Sequence, residues 1–133
     1  MEKSRMANLL LVDDDCDLVE ALAEELRSEG HEVRTARDGE EGLRALRTPL
    51  LPDAVILDVD MPILGGPGMA HQMLLHDAGQ ELIPIILVSG KNDLAEIAKK
   101  MGTSYFLRKP CDLTAFLGLL NRALHERTPP ASA

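Results

Sequence analysis

The sequence predicts one α/β domain built on an open parallel sheet, and two observations favour that fold. Five short apolar runs alternate with segments of helical periodicity along the 133 residues. The longest run, residues 82–88, is apolar throughout, as is typical of a strand covered on both faces. We expect residues 1–127 to form the domain, because a chain of this length usually makes one. Residues 128–133 include two prolines and are expected to form a tail or a truncated linker.

The predicted strands are the five apolar runs, at residues 8–12, 32–36, 54–57, 83–88 and 105–107. Apolar residues spaced three and four apart predict helices over residues 18–26, 94–101 and 113–124. The segments around residues 43–46 and 69–75 show the same spacing more weakly. Each strand is therefore followed by a helix, which is the connection that parallel strands require.

Residues at the predicted helix ends agree with these boundaries. Gly30 and Gly102 follow helical segments, where glycine commonly ends a helix. Asp38, Asn92 and Asp112 precede helical segments and are expected to accept hydrogen bonds from the first free backbone N–H groups.

Composition excludes several classes of function. The net charge is −8 and aromatic residues make up 2% of the chain, so we expect no direct binding of nucleic acid. No apolar run approaches the roughly 20 residues of a membrane span, which predicts a cytoplasmic protein without a membrane partner. Cys16 and Cys111 are too few for a disulfide scaffold, and we expect two buried or half-buried free thiols.

Polar and charged residues follow four of the five predicted strands. Ligands of an open parallel sheet bind where the carboxyl ends of the strands emerge, so these side chains should meet at one edge. The residues that follow the first, third, fourth and fifth strands are Asp13-Asp14-Asp15, Asp58-Val59-Asp60, Ser89-Gly90 and Arg108-Lys109-Pro110.

Gathering Asp13, Asp14 and Asp58 at one edge is electrostatically unfavourable. At 4 Å and an effective dielectric constant near 20, each pair of carboxylates repels by roughly 4 kcal/mol. Lys109 supplies one positive charge against three negative ones. A divalent cation would complete the balance, and a site of oxygen ligands suits Mg²⁺; the alternative is that these acids are helix caps and solvated turn residues. Asp15, by contrast, is expected to be a helix cap or a solvated turn acid, as is Asp17.

These motifs, taken together, resemble the receiver domain of two-component response regulators, similar to the single-domain regulators of chemotaxis and sporulation. The resemblance covers roughly residues 8–126, and its anchors Asp14, Asp58, Ser89 and Lys109 lie 44, 31 and 20 residues apart in turn. It implies a flavodoxin-like, doubly wound sheet with strand order 2-1-3-4-5 and five helices on both faces. The matching motifs are Leu-Leu-Val-Asp13-Asp14-Asp15, Val-Ile-Leu-Asp58-Val-Asp-Met61-Pro62, Ser89-Gly90 and Lys109-Pro110.

The resemblance implies a role for each acidic position. Asp58 would be the phosphoacceptor and would also face the metal. Asp14 would be the principal carboxylate ligand of Mg²⁺, and Asp13 would help directly or through water. Asp60 would offer its backbone carbonyl to the same ion.

The resemblance also implies a switch. Ser89 would bind the phosphoryl group, and Lys109 would pair first with Asp58 and then with a phosphoryl oxygen. Phe106 occupies the switch-aromatic position of the family, three residues before Lys109, whereas Tyr105 does not. The phenylalanine has no hydroxyl, so its movement would act by shape alone.

Two features go beyond or depart from the family pattern. Asp60 lies two residues after the phosphoacceptor and Lys91 two residues after Ser89. We expect the two to form an ion pair that slows loss of the phosphoryl group. Gly65 stands where the family often has an acid, which predicts a looser loop after the third strand.

The expected function is a phosphorylation-dependent switch, and not an enzyme that acts on a separate substrate. Its phosphodonor would be a sensor histidine kinase or a phosphotransfer protein. Its output would pass through the fourth helix, fifth strand and fifth helix to another protein or a fused domain. The kinase, the regulated process and phosphorylation-dependent homodimerisation stay open.

Two alternatives remain. Asp58-Val59-Asp60 matches the Asp-x-Asp strand end of haloacid-dehalogenase-like hydrolases, but the second acidic pair, Asp13-Asp14, lies upstream instead of downstream. A receiver-like adaptor that is never phosphorylated would need neither this pair nor Lys109.

Overall fold

The computed structural model describes residues 6–76 and 79–131 and has the predicted architecture. All strand pairs are parallel, and the order across the sheet is β2-β1-β3-β4-β5, which confirms the expected doubly wound topology. The strands are β1 (Asn8–Val12), β2 (Glu32–Ala36), β3 (Ala54–Leu57), β4 (Ile85–Ser89) and β5 (Tyr105–Arg108).

A helix follows every strand, and a short 3₁₀ turn over Gln80–Leu82 precedes β4. Among the described residues, no helix has both the length and the apolar character needed to cross a bilayer. The helices are α1 (Cys16–Ser28), α2 (Gly39–Ala45), α3 (Gly66–Leu75), α4 (Leu94–Met101) and α5 (Leu113–Glu126).

The fourth strand starts two residues later than the apolar run suggests. Pro84 has no N–H group to donate to a neighbouring strand, and its carbonyl accepts from Val55 N at 3.0 Å before regular pairing begins at Ile85. The strand extends to Ser89, which pairs with Arg108 at the end of β5. Ser89 therefore belongs to the sheet and not to the loop that follows it.

The core has two layers because both faces of the sheet are covered. Leu9 and Leu11 point to the layer formed with α1 and α5. Leu10 and Val12 point to the layer formed with α2, α3 and α4. The four side chains are at most 2% exposed. This burial on both faces is why β1 is apolar at successive positions.

Among the described residues, three aspartates cap helices with their side chains. Asp15 accepts from Leu18 N at 3.2 Å, as expected for a capping acid. Asp38 and Asp112 cap α2 and α5 as predicted. Each side chain accepts from the backbone N–H three residues further along the chain, at 2.8 and 2.7 Å. Each such cap contributes about 1 kcal/mol to stability.

The expected cap at Asn92 is wrong. The residue before α4 is Asp93, whose side chain makes no capping hydrogen bond. The amide oxygen of Asn92 instead accepts from the guanidinium of Arg108. A charged donor on the neighbouring strand makes a stronger hydrogen bond than a neutral backbone N–H.

The two cysteines differ from the expected buried or half-buried thiols, because both are exposed. Cys16 is the first residue of α1, and Cys111 lies in the connection between β5 and α5. Desolvation by neighbouring atoms and the charge of Asp112 raise the pKa of the Cys111 thiol, although Lys109 opposes the shift. This direction favours the unreactive, protonated form.

Candidate functional site

Three carboxylates meet at the carboxyl edge of the sheet, as predicted. Asp13 and Asp14 follow β1, and Asp58 follows β3 in the next position across the sheet. One oxygen from each of the three lies within 4.8 Å of the others. Asp13 and Asp58 are buried, at 5% and 8% exposed, while Asp14 is open to solvent. An ion could therefore enter from the side of Asp14.

Backbone hydrogen bonds orient Asp58. Its own N–H donates to Val12 O at 3.0 Å and continues the sheet by one residue. Its Oδ1 accepts from Val59 N at 2.8 Å. Its Oδ2 lies 3.8 Å from Lys109 Nζ, beyond hydrogen-bond distance. The two oxygens are therefore in different environments, and Oδ2 is the one that faces the Lys109 ammonium.

Asp13 is held more tightly than Asp58. Its Oδ1 accepts from Asp15 N at 3.0 Å, and its Oδ2 accepts from Lys109 Nζ at 2.7 Å. Lys109 is in turn positioned through its own N–H, which donates to Ser89 O at 2.8 Å. The ammonium group thus forms ion pairs with both buried acids, and the closer one is with Asp13.

The electrostatics of the site favour protons and cations. Burial and the charge of Asp13 raise the pKa of Asp58, although Lys109, Val59 N–H and the Ser89 hydroxyl oppose the shift. Burial alone would lower the pKa of Lys109. The hydrogen bond that Lys109 donates to Asp13 and the charges of nearby acids outweigh this effect and raise that pKa. Negative charge is therefore in excess even with the lysine in place.

The donor set fits a magnesium ion. Carboxylate oxygens are hard ligands, and Mg²⁺ usually keeps several waters while binding one or two carboxylates. An open cavity of about 330 Å³ lies beside Asp14 and is lined by the segment from Val59 to Pro62 together with Gly65. There is room for a hydrated ion next to Asp60, whose carbonyl stays a predicted ligand.

The two adjacent aromatic residues of β5 are in opposite environments. Tyr105 is 0% exposed, and its hydroxyl donates to Glu126 Oε1 at 2.8 Å. The guanidinium of Arg122 lies 5.2 Å from the centre of its ring. Phe106 is 40% exposed and makes its strand pairing with Leu87. Tyr105 therefore binds α5 to the sheet, whereas the ring of Phe106 lies at the surface.

Asp60 and Lys91 form the ion pair expected from the sequence, with 3.2 Å between Asp60 Oδ2 and Lys91 Nζ. Their side chains are 73% and 39% exposed. The pair joins the segment after β3 to the segment after β4, across the carboxyl edge of the sheet. Its effect on the lifetime of a phosphoryl group stays a prediction.

The glycine-rich segment before α3 packs more closely than the sequence suggested. Gly66 N donates to Val59 O at 2.8 Å. A Cβ atom at Gly66 would overlap the carbonyl oxygen of Asp58, and one at Gly65 would come within 2.8 Å of Val59 O. Sequence reasoning missed this positioning role of Gly66. The available signal was a glycine pair at the start of a helix beside a buried strand end.

Comparisons with known proteins agree with this geometry. A family model described as the response regulator receiver domain matches residues 9–121. Protein PilH of Pseudomonas aeruginosa is 35% identical over 121 residues, which are 90% of this chain and 98% of PilH.

A longer relative and a solved structure extend the likeness. The transcriptional regulatory protein PrrA of Mycobacterium bovis is 32% identical over 127 residues, which are 94% of this chain. The chain spans 53% of PrrA, or about half the length of that relative. The structure of chemotaxis protein CheY4 of Vibrio cholerae superposes with a TM-score of 0.79 at 28% identity, over 89% of this chain and 98% of that one.

Proposed function

This chain belongs to the response regulator receiver domain family, and we propose that it is a signalling switch phosphorylated on Asp58. The observation that supports this most directly is the meeting of Asp13, Asp14 and Asp58 within 4.8 Å, with Lys109 in contact. A buried carboxylate beside a cation and two metal-binding acids suits phosphoryl transfer, which needs positioning and neutralised oxygens more than covalent assistance. The phosphodonor would be a phosphohistidine of a sensor kinase or phosphotransfer protein.

Asp58 Oδ2 is the proposed nucleophile. Its partner Oδ1 is held by Val59 N–H, whereas Oδ2 faces Lys109 without a hydrogen bond to it. An oxygen–phosphorus bond forms at Oδ2, the phosphorus–nitrogen bond of the donor breaks, and the leaving imidazole keeps the electron pair and takes a proton. Mg²⁺ held by Asp13, Asp14 and the Asp60 carbonyl would neutralise charge on the phosphoryl oxygens. Lys109 would exchange its contact with Asp13 for one of these oxygens.

The phosphodonor protein would approach this edge of the sheet beside an apolar cavity. A space of about 700 Å³ between α1 and the start of α5 extends to Asp13, Asp58 and Lys109. Leu18 and Leu22 of α1 line one wall of it. We infer that a helix of the phosphodonor covers this opening with apolar side chains while its histidine approaches Asp58.

The output begins at Ser89 and Phe106. Ser89 is 2% exposed at the end of β4, where its hydroxyl can turn to a phosphoryl oxygen. That movement would leave space for the exposed ring of Phe106 to turn inward and change the surface of α4, β5 and α5. The signal would pass to another protein or to a fused output domain in the cytoplasm. Phosphorylation-dependent homodimerisation is a further way in which the signal could be transmitted.

Intact mass spectrometry tests the proposal. Incubation with acetyl phosphate and Mg²⁺ should add about 80 daltons to the chain, and Asp58→Asn should abolish the gain. Asp17→Asn removes an exposed acid of α1 and serves as the matched control. No gain in the wild-type chain would overturn the proposal and favour an unphosphorylated adaptor.

The hydrolase alternative predicts a different result when a generic phosphate ester replaces acetyl phosphate in the presence of Mg²⁺. It predicts steady turnover of this ester that Asp60→Asn abolishes. The family match favours the receiver function, in which the Asp60 side chain is not a general acid.

A further inference from the structure

The segment after α5 returns along the edge of the sheet where the strands begin. Arg127 has the left-handed conformation, with φ 53° and ψ 39°, and turns the chain away from the helix. Its guanidinium lies 3.3 Å from Asp53 Oδ1. Asp53 Oδ2 accepts from Asn8 N at 2.8 Å, which ties the same acid to the start of β1. The segment therefore leaves the helix from a fixed point.

The other end of the segment contacts the turn between α4 and β5. Ala131 N donates to Gly102 O at 2.9 Å, and Pro130 is buried. A Cβ atom at Gly102 would overlap the carbonyl oxygen of Ala131. Gly102 is also the residue that ends α4, in the left-handed conformation with φ 80°. One glycine thus serves both the helix end and the returning segment.

The two prolines make this contact less costly in entropy. Pro129 and Pro130 have fixed φ angles, so residues 127–131 lose less conformational freedom on packing than a flexible segment would. Burial of the Pro130 ring adds a hydrophobic contribution. A single backbone hydrogen bond would be weak by itself, but here it acts with a buried ring and an anchored arginine.

We propose that residues 127–131 form a strap that holds the C-terminal end of α4 against the sheet. The helix starts five residues after Ser89 and ends at Met101, directly before the strap's contact at Gly102. It therefore links the carboxyl edge, where the acids lie, to the strap at the opposite edge. The docking of the strap is inferred from the contacts of residues 127–131 and does not depend on the proposed function. Its regulatory consequence rests on the proposed function: the strap opposes displacement of α4 on phosphorylation, and that displacement loosens the strap.

Hydrogen exchange of the full-length chain tests the docking. Pro130→Asp places a carboxylate in the buried position and should release the strap, because an unpaired charge is costly to bury. Thr128→Asp adds the same charge at an exposed position of the same segment and is the matched control. The amides of residues 99–103 should exchange several-fold faster in Pro130→Asp than in Thr128→Asp, while those of β1 and β3 stay unchanged.

Two results would overturn the strap. Equal exchange at residues 99–103 in the two variants would show that the segment does not restrain α4. A uniform increase across all strands would show that it stabilises the fold in general. A second comparison uses Gly102→Ala in the full chain and in a chain ending at Arg127. The loss in unfolding midpoint should be larger in the full chain, because only there does the new methyl group meet Ala131; equal losses contradict the docking.

Phosphorylation separates the regulatory part from the proposed function. With acetyl phosphate and Mg²⁺, Pro130→Asp should gain the phosphoryl mass faster than Thr128→Asp. Equal rates would refute the coupling even where exchange supports the strap. A failure of every chain, wild type included, to gain mass would refute the phosphoacceptor function, and hydrogen exchange would still decide whether the strap exists.

Discussion

Lys109 Nζ donates to Asp13 Oδ2 at 2.7 Å, which is closer than its 3.8 Å approach to Asp58 Oδ2. The Lys109 ammonium thus neutralises mainly Asp13, and not the proposed phosphoacceptor Asp58. Asp58 keeps a raised pKa because burial and Asp13 outweigh the distant lysine. The unphosphorylated site is therefore ready to bind a second cation.

Removal of the lysine should strengthen magnesium binding. Lys109→Ala takes away a positive charge that repels the ion and competes for Asp13, so the dissociation constant of Mg²⁺ should fall by roughly three- to tenfold. Titration calorimetry measures this directly, with Lys99→Ala on the exposed side of α4 as the control. The same variant should accept the phosphoryl group more slowly. Weaker Mg²⁺ binding would contradict the competition.

Asp58→Asn should make the metal-free protein more stable at pH 7. The pKa of Asp58 is above its ordinary value of 3.8, so the folded chain binds this proton more tightly than the unfolded chain. Its ionisation destabilises the fold as pH rises through the folded-state pKa. The advantage of the variant should therefore shrink as pH falls toward 4. Urea unfolding in EDTA measures the free energy of unfolding of each variant. If Asp58→Asn were no more stable than Asp17→Asn at pH 7, the prediction would be refuted.

Lys91→Ala should shorten the lifetime of the phosphoryl group. Its ion pair with Asp60 joins the segments after β3 and β4 at the exposed side of the site, and we expect it to flank the route of an attacking water. Exposed pairs contribute at most about 1 kcal/mol, so decay should accelerate by no more than about fivefold. The rate is followed by intact mass after removal of the phosphodonor, and Lys99→Ala controls for lost surface charge. An unchanged or slower decay would disprove the role.

Tyr105 and Phe106, the two aromatic residues of β5, should differ in how much each contributes to the free energy of unfolding. Tyr105→Ala removes a fully buried ring and its hydrogen bond to Glu126, at a cost of about 3–5 kcal/mol in the free energy of unfolding. Phe106→Ala removes an exposed ring and should cost about 1 kcal/mol or less. Urea unfolding distinguishes them. A large loss for Phe106→Ala would identify it as a plain core residue of the strand.

His31 should make stability depend on pH. Its Nδ1 accepts from Ala7 N at 3.1 Å, which requires the unprotonated ring. Burial lowers the pKa of His31 below 6.5 in the folded chain, although Glu29 opposes the shift. The unfolded chain thus takes up the proton first, and stability is lost as pH falls from about 6.5 to the lower folded-state pKa.

Urea midpoints between pH 7.5 and 5 measure the effect of this histidine. His31→Gln should flatten the dependence, because glutamine does not titrate. His125→Gln, at an exposed position of α5, should retain it. Equal slopes in the two variants would contradict the assignment.

Local sequence patterns predicted a strand or a helix cap correctly where a single physical requirement governed it. The strand boundaries of β1, β2 and β3 were predicted to the residue. For β3 and most of β1 the reason is burial on both faces, which demands apolar side chains at successive positions. The edge strand β2 keeps exposed polar side chains at Glu32 and Thr35. Asp38 was predictable as a cap because its hydrogen-bond partner is local: its side chain accepts from Glu41 N in the first turn of the helix that follows it. Asn92 was not, because Arg108 on a neighbouring strand takes its oxygen. Solvent exposure of the two thiols likewise depended on which side of α1 and of the β5–α5 connection faces outward.

The architecture and the set of residues at the acidic edge follow from the order of the residues along the chain, because parallel topology brings strand ends together whatever the side chains do there. How those residues share their charges depends on the packing of the folded chain. The lysine lies closer to Asp13 because Asp15 N–H and Val59 N–H have already oriented the two carboxylates. The packing of Gly66 on Asp58 and of Ala131 on Gly102 also depends on distances between remote backbone segments. Such distances arise only when the whole chain is packed.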